Sequence, residues 1–281
     1  MVRAKRSLGQ NFLVDANVQR RIVAALDPRP NDTVLEIGPG TGALTRHLAG
    51  TVERLVAVEL DDALAEALQR ELGDRRGVEI VHANAMKLDL GRVLEGAASP
   101  KVIGNIPYNI TTPLIFHLLD AEPPPAVLVL MIQKEVADRM LAPPGGKEYG
   151  ALSVGVRAIA DVDRLFNVGK NAFRPPPDVI STVIRLAPRA PRCLTRAEER
   201  DLRMLTRVAF SWRRKQLQKT LRGAPRYGLT PREVDELARE TGLDFTARPE
   251  SLAPEEFVRL SRALRLRGLP ATGTAVDDGA E

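Results

Sequence analysis

The chain has 281 residues, 44% hydrophobic and 27% charged, a composition that excludes wholesale disorder and leaves room for one large and one smaller globular domain. Its net charge of +5 weakly favours a polyanionic partner. The single cysteine, Cys193, excludes an internal disulfide, and no apolar run approaches the roughly 18 residues of a membrane span, so we predict a cytoplasmic protein with no metal site.

Short β-branched runs alternate with helical periodicity through the first two thirds of the chain. They predict seven strands, at 34–38, 55–60, 78–83, 101–105, 127–132, 162–168 and 179–186. Helices are predicted at 41–49, 62–72, 113–119 and 134–141. Such alternation is typical of an α/β fold with a mainly parallel sheet, and the short Pro-rich connection before the last strand predicts that the last two strands pair with each other.

The composition changes after residue 186, where Ala-Pro-Arg-Ala-Pro-Arg-Cys spans 187–193 and strand-like runs end. Helix start signals follow at Thr195, at Thr230 and at 253–255. We therefore predict a sheet domain over residues 1–190 and an all-helical domain over 191–267. Residues 268–281 are small, polar and acidic, which predicts a disordered tail.

A glycine turn, Glu-Ile-Gly-Pro-Gly-Thr-Gly at 36–42, follows the first predicted strand. Gly38 and Gly40 allow the backbone to approach a ligand closely because they lack a Cβ atom. Glu59 ends the next strand, where its carboxylate is placed to accept hydrogen bonds from two ribose hydroxyls. Together they predict a nucleoside pocket, but the turn also satisfies the dinucleotide pattern, so it leaves S-adenosylmethionine and NAD evenly matched.

The tetrad Asn105-Ile106-Pro107-Tyr108 follows the fourth predicted strand, and ligands of open α/β sheets bind beyond the carboxyl ends of strands. It suits chemistry on an exocyclic amino group, whose nitrogen is a poor nucleophile. The Asn105 side chain and the Ile106 backbone carbonyl are placed to accept the amino hydrogens, and Tyr108 to stack on a flipped base. The alternative, a proline turn with a partly buried tyrosine, is disfavoured by the position after a strand.

Several segments between about residues 7 and 266 together resemble the rRNA adenine dimethyltransferase family, in the family's order and spacing. They lie at 7–13, 36–42, 58–61, 104–108, 133–136, 149–150, 173–177, 209–210 and 213–215. The resemblance implies a class I S-adenosylmethionine-dependent methyltransferase domain with a Rossmann-like seven-stranded sheet, followed by a small C-terminal helical domain. It implies S-adenosylmethionine as cofactor, and the predicted cofactor residues are Asn11, Leu13, Gly38, Gly40, Glu59, Asn84 and Asn105.

Two positions within the resemblance leave questions open. Asn84 stands where the family has an Asp that contacts the cofactor's adenine amino group, and the uncharged amide is expected to bind modestly more weakly. Phe173 begins a Phe-Arg-Pro-Pro-Pro loop that in the family faces the target base, which predicts stacking opposite Tyr108. A hydrophobic plug over the proline turn is an equally supported interpretation. The predicted catalytic residues are Asn105, Ile106, Pro107, Tyr108 and Phe173.

The stretch 202–232 contains nine basic residues and no acidic one, although acidic residues are common on both sides of it. A run of side chains that all carry positive charge predicts contact with the phosphate groups of a nucleic acid. Trp212 within the block is interpreted either as a base-stacking platform or as a packed residue. The candidate RNA contacts are Arg207, Arg213, Arg214, Lys215, Lys219 and Arg222.

The family resemblance implies a function. We expect a monomer that dimethylates N6 of two adjacent adenines in a loop near the 3′ end of 16S rRNA, within the assembling 30S subunit. Two alternatives remain open: an Erm-type 23S rRNA adenine methyltransferase, which shares the fold and the tetrad, and a ribosome-assembly RNA-binding factor whose catalysis is vestigial.

Overall fold

The computed structural model describes residues 10–269, so most of the predicted tail lies outside the described residues. Within that range nine strands form two sheets. The strands are β1 (Phe12–Leu13), β2 (Thr33–Ile37), β3 (Arg54–Glu59), β4 (Val78–His82), β5 (Lys101–Asn105), β6 (Val127–Gln133), β7 (Ala160–Val168), β8 (Phe173–Arg174) and β9 (Ser181–Pro188). The α-helices are α1 (Ala16–Leu26), α2 (Thr45–Leu48), α3 (Asp62–Leu72), α4 (Leu90–Val93), α5 (Thr111–Leu119), α6 (Lys134–Leu141), α7 (Ala151–Arg157), α8 (Arg196–Ser211), α9 (Leu217–Gly223), α10 (Pro231–Thr241) and α11 (Pro254–Leu266).

The larger sheet has the strand order β4-β3-β2-β5-β6-β9-β7, which confirms the seven predicted strands and the α/β fold. The strands from β4 to β6 are parallel, and β9 is antiparallel to β6 and also pairs with β7. The chain runs outward from β2 to β4 and then returns to β5 on the other side of β2. Ligands of open parallel sheets bind at such a reversal, beyond the carboxyl ends of the strands. The glycine turn follows β2, and the Asn105 tetrad begins at the last residue of β5.

The helix expected at 41–49 starts only at Thr45 and spans four residues. Its start is delayed because Gly38, Gly40 and Gly42 have φ angles of 66°, 58° and 83°. A left-handed backbone conformation is incompatible with a right-handed helix, and glycine adopts it without the steric penalty of other residues. The segment before α2 is therefore an open loop at the end of β2.

Helices α1 and α4 and the small sheet formed by β1 and β8 were not predicted from the sequence. Helix α1 does have a sequence signal, because Asp15 caps its first turn and the buried Ile22 and Leu26 are four residues apart. The small sheet has none, since each strand has only two residues. It places Leu13 opposite Phe173 and so joins the N-terminal segment to the proline loop.

The described chain groups into two compact units. The first comprises the residues up to Ala137 together with Val162–Pro188, and the second comprises Asp138–Asp161 together with the residues from Arg189 onward. This differs from the contiguous division expected at residue 190. The reason is that the segment inserted between β6 and β7 contributes Tyr149, fully buried, to the hydrophobic cluster of the helical unit, where its hydroxyl donates to the Leu252 carbonyl at 2.7 Å.

Three helices of the second unit, α8, α10 and α11, begin where the sequence predicts, whereas α7 and α9 were not predicted. Thr195 and Thr230 form capping boxes with Glu198 and Glu233, three residues further on. No helix within residues 10–269 has the length and hydropathy needed to cross a membrane.

Candidate active site

A cavity of about 820 Å³, counting space that is open to solvent, lies at the carboxyl ends of β2, β3 and β5. It brings together all the predicted cofactor and catalytic residues except Asn84 and Phe173. The predicted residues that line it are Asn11, Leu13, Gly38, Gly40, Glu59, Asn105, Ile106, Pro107 and Tyr108.

Glu59 is held in place by the backbone. Its Oε1 accepts the N–H groups of Leu60 and Asp61, both at 2.9 Å, and its Oε2 accepts the N–H of Gly40 at 2.9 Å. A carboxylate has about four lone-pair positions, so three backbone donors leave one, on Oε2. In this conformation Glu59 has room for one ligand hydroxyl rather than the two expected from the sequence.

The N-terminal segment forms one wall of the cavity. A Cβ atom built on Gly40 would lie 3.2 Å from the ring of Phe12, so the glycine permits this close approach. Gln10 donates to the buried carboxylate of Asp61 at 3.0 Å, which ties the segment to the loop after β3. Sequence reasoning did not identify Gln10 or Asp61 as site residues, because their contact joins positions that are far apart in the chain.

The orientation of the Asn105 amide is fixed by one hydrogen bond. Its Nδ2 donates to the backbone carbonyl of Asn11 at 3.1 Å. A carbonyl can only accept, so the amide cannot be reversed, and Oδ1 is the remaining polar atom of the side chain. Asn105 lines the cavity, and Oδ1 is therefore the side-chain acceptor that it can offer to a ligand.

Tyr108 is anchored through its hydroxyl, which lies 3.0 Å from Oγ of the buried Ser181 at the start of β9. Burial raises the pKa of the Tyr108 phenol, and the Ser181 hydrogen bond partly opposes that shift. The phenol therefore keeps its proton at neutral pH, so Tyr108 contributes a ring and a fixed hydroxyl rather than a base.

Glu36 also lines the cavity, although the sequence analysis assigned it no role. Its side chain is 1% exposed, and burial raises its pKa from 4.5 to about 8. A nearby Thr45 lowers the pKa, and the negative charge of Glu59 raises it. The sequence signal for Glu36 was its place two residues before Gly38, but nothing local indicates that it is buried.

Two expectations need revision. Phe173 does not face the cavity: it is 1% exposed and packs in the hydrophobic core of its unit, so the ring is not available to stack on a base. The plug interpretation is the one that matches this packing. Asn84 caps a short 3₁₀ turn instead of lining the cavity, and its Oδ1 accepts the N–H of Met86 at 2.9 Å.

Most of the predicted RNA contacts lie on the surface of the helical unit, where Arg207, Arg214, Lys215, Lys219 and Arg222 are exposed. Arg213 differs, because it pairs with Glu250 at 2.6 Å and donates to the Gly146 carbonyl at 2.9 Å. It thus has a structural role within the unit, which makes it a poor candidate for phosphate contact.

The Trp212 ring packs against Gly223, which supports the interpretation of Trp212 as a packed residue over that of a base-stacking platform. A Cβ atom on Gly223 would lie 2.8 Å from its ring, and the Lys215 ammonium sits 4.1 Å from the ring centroid. Within residues 10–269 no group of three or more His, Cys, Asp or Glu side chains is arranged to hold a metal ion.

Comparisons with known proteins find relatives along nearly the whole chain. Two relatives named Ribosomal RNA small subunit methyltransferase A are 44% identical over 269 residues in Geobacter metallireducens and 42% identical over 262 residues in Pseudomonas aeruginosa. The alignments cover 95% and 93% of this chain, and 98% and 95% of the relatives.

Solved structures show the same similarity. A dimethyladenosine transferase from Plasmodium falciparum aligns with a TM-score of 0.76 at 25% identity, over 92% of this chain and 99% of its own. The 23S rRNA methyltransferase ErmE aligns with a TM-score of 0.67 at 27% identity, over 91% and 100%. The family model described as Ribosomal RNA adenine dimethylase matches residues 1–265. The chain therefore belongs to the ribosomal RNA adenine dimethylase family.

Proposed function

We propose that this protein transfers methyl groups from S-adenosylmethionine to N6 of adenine in 16S rRNA, dimethylating two adjacent adenines in a loop near the 3′ end. The observation that carries the proposal is the orientation of Asn105, which leaves Oδ1 as the side-chain acceptor of a residue that lines the cavity. Family membership and the names of the relatives support the substrate.

The residues that line the cavity suit the nucleoside part of S-adenosylmethionine. Gly40 leaves space that a Cβ atom would narrow, and Glu59 keeps one acceptor position for a ribose hydroxyl. When bound, S-adenosylmethionine supplies an electrophilic methyl group. Family membership favours it over the dinucleotide alternative that the glycine turn alone left open.

The protein's part in the reaction is to orient and activate the adenine amino group. Asn105 Oδ1 accepts one amino hydrogen, which draws the nitrogen lone pair out of conjugation with the ring and stabilises the positive charge that develops on N6. The Ile106 carbonyl is placed to accept the other hydrogen, and Pro107 restricts the backbone between Ile106 and Tyr108. Tyr108, held by Ser181, offers a ring for the flipped base to stack on. The methylated amine then loses its proton to water.

The helical unit provides the contact with RNA in this proposal. Arg207, Arg214, Lys215, Lys219 and Arg222 are exposed and neutralise backbone phosphates, while the sequence of the target is read at the flipped base. We further propose that the substrate is the assembling 30S subunit, that the protein acts as a monomer, and that it works in the cytoplasm, where ribosomal subunits form.

Transfer of tritium from labelled S-adenosylmethionine to under-methylated 30S subunits, with 23S rRNA offered separately, tests the proposal. We expect label in 16S rRNA, and less than a tenth of wild-type turnover in Asn105→Ala, a loss of more than about 1.4 kcal/mol of transition-state stabilisation. Asn31→Ala removes an exposed asparagine just before β2, away from the cavity, and serves as the matched control. Label confined to 23S rRNA would favour the Erm-type alternative. Binding to 30S without transfer would favour an assembly factor.

A further inference from the structure

The N-terminal segment connects two parts of the cavity wall that follow different strands. Gln10 Nε2 donates to Oδ2 of Asp61, after β3, at 3.0 Å. The backbone carbonyl of the next residue, Asn11, accepts Nδ2 of Asn105, at the end of β5, at 3.1 Å. Consecutive residues make the two contacts, so the Gln10 side chain restrains the peptide segment whose carbonyl orients the Asn105 amide. The proposed methyl transfer assigns no role to Gln10 or Asp61.

Asp61 is a rigid anchor for this contact. It is 1% exposed, and its Oδ1 caps α3 by accepting the Ala63 N–H at 3.2 Å. Its backbone N–H donates to Oε1 of Glu59 at 2.9 Å. These contacts hold Oδ2 in one position for Gln10. A series of hydrogen bonds therefore joins the Glu59 carboxylate, on the cofactor side of the cavity, to the Asn105 amide.

The remainder of the N-terminal segment is held by contacts that do not involve Gln10. Residues 12–13 form β1, which pairs with β8, and the Val14 N–H donates to the Ala172 carbonyl at 2.8 Å. Asn11 lies between this anchored stretch and Gln10. Loss of the Gln10 contact therefore removes a restraint on the Asn11 carbonyl and leaves the pairing of β1 with β8 intact.

We propose that Gln10, anchored on Asp61, is a positioning residue for methyl transfer, because it keeps the Asn11 carbonyl where it orients the Asn105 amide. The inference rests on the proposed function, since it takes Asn105 Oδ1 as the acceptor of an adenine amino hydrogen. An Asn105 amide that is no longer restrained turns over and presents its NH₂ group. That group is a donor, and it cannot accept the amino hydrogen.

The kcat for methyl transfer to under-methylated 30S subunits, together with the Kd of S-adenosylmethionine from calorimetry, tests the inference. In Gln10→Ala we expect kcat to fall at least about threefold, the size of effect expected when one hydrogen bond no longer orients the amide. The Kd should rise by a smaller factor than kcat falls, because β1 stays paired. Gln69→Ala, which removes an exposed glutamine of α3 in the same unit, is the matched control and should behave as the wild type.

A reversed hydrogen bond separates positioning from a general loss of structure. Gln10→Glu places a second carboxylate opposite Asp61 and should lower kcat at least as much as Gln10→Ala does. Addition of Asp61→Asn supplies an amide NH₂ that donates to the carboxylate at position 10, while the amide oxygen still accepts the Ala63 N–H. The kcat of this double variant should recover, and a double variant as slow as Gln10→Glu would contradict the inference.

NMR of protein labelled with ¹⁵N at asparagine observes the Asn105 side chain without catalysis, and the signal is assigned by its loss in Asn105→Ala. Its NH₂ protons should exchange faster in Gln10→Ala than in the wild type or in Gln69→Ala. A smaller fall in kcat than threefold, an equal loss of cofactor affinity, or unchanged exchange would each overturn the inference and leave the proposed function intact. A wild type that transfers no methyl group would overturn the proposed function, and the exchange rates would then decide whether Gln10 positions Asn105.

Discussion

Replacing Glu36 by Gln should raise the free energy of unfolding of the ligand-free protein, and this increase should become larger as the pH rises. In the folded protein burial raises the pKa of Glu36 from 4.5 to about 8. Between these values the unfolded chain has lost a proton that the folded protein retains, so the free energy of unfolding falls as the pH rises. Glutamine resembles the protonated acid in shape but has no such proton to lose.

The expected size follows from the pKa shift. Each pKa unit corresponds to about 1.4 kcal/mol, so the variant should exceed the wild type in free energy of unfolding by about 3 kcal/mol at pH 7, about 2 kcal/mol at pH 6 and under about 1 kcal/mol at pH 5. Because Glu36 is 1% exposed, solvent screening reduces this figure little. The negative charge of Glu59 nearby also raises the pKa of Glu36.

Urea unfolding at several pH values measures this difference. Hydrogen–deuterium exchange of the peptide that contains β2 reports on the unit that holds Glu36, even if the two units unfold separately. The contributions of other titrating groups to the free energy of unfolding cancel when the variant and the wild type are compared at the same pH. The exposed Glu53→Gln control should show no pH-dependent difference. A gain that stays constant from pH 5 to pH 8, or a variant that is less stable throughout, would refute the burial argument.

Three further predictions concern binding and catalysis. Asn105→Asp should lower methyl transfer at least about a hundredfold, because a carboxylate cannot donate to the Asn11 carbonyl and is repelled by it; more than a tenth of wild-type tritium transfer would contradict the assigned role. Asn84→Asp should leave the affinity for S-adenosylmethionine unchanged, because a carboxylate oxygen still accepts the Met86 N–H and residue 84 does not line the cavity. Calorimetry checks this, and tighter binding by the variant would show that residue 84 contacts the cofactor. Arg222→Ala should reduce the slope of log affinity for rRNA against log salt by about one, and an unchanged slope would argue against a phosphate contact there.

Local sequence signals determined most of the secondary structure. The helices predicted at 62–72 and 134–141 coincide with α3 and α6, and the strand predicted at 101–105 coincides with β5. Periodicity, caps and β-branched runs depend on residues close together in the chain, so the sequence alone carries them. The glycine turn and the tetrad were also found this way, because both follow strands that end at one edge of a parallel sheet.

Only the tertiary structure decided which of the candidate residues meet. Phe173 matches its family motif, yet pairing of β1 with β8 buries it in the core. The donor to the Asn11 carbonyl is Asn105, 94 positions away, and this contact leaves Oδ1 as the remaining polar atom of the Asn105 side chain. Glu36 and Glu59 are similar carboxylates at the ends of adjacent strands, but three backbone N–H groups meet Glu59 and none satisfies Oε2 of Glu36. A pattern of neighbouring residues determines a helix or strand and the edge of the sheet at which it ends. The burial and the hydrogen-bond partners of each side chain depend instead on segments that are far away in the chain.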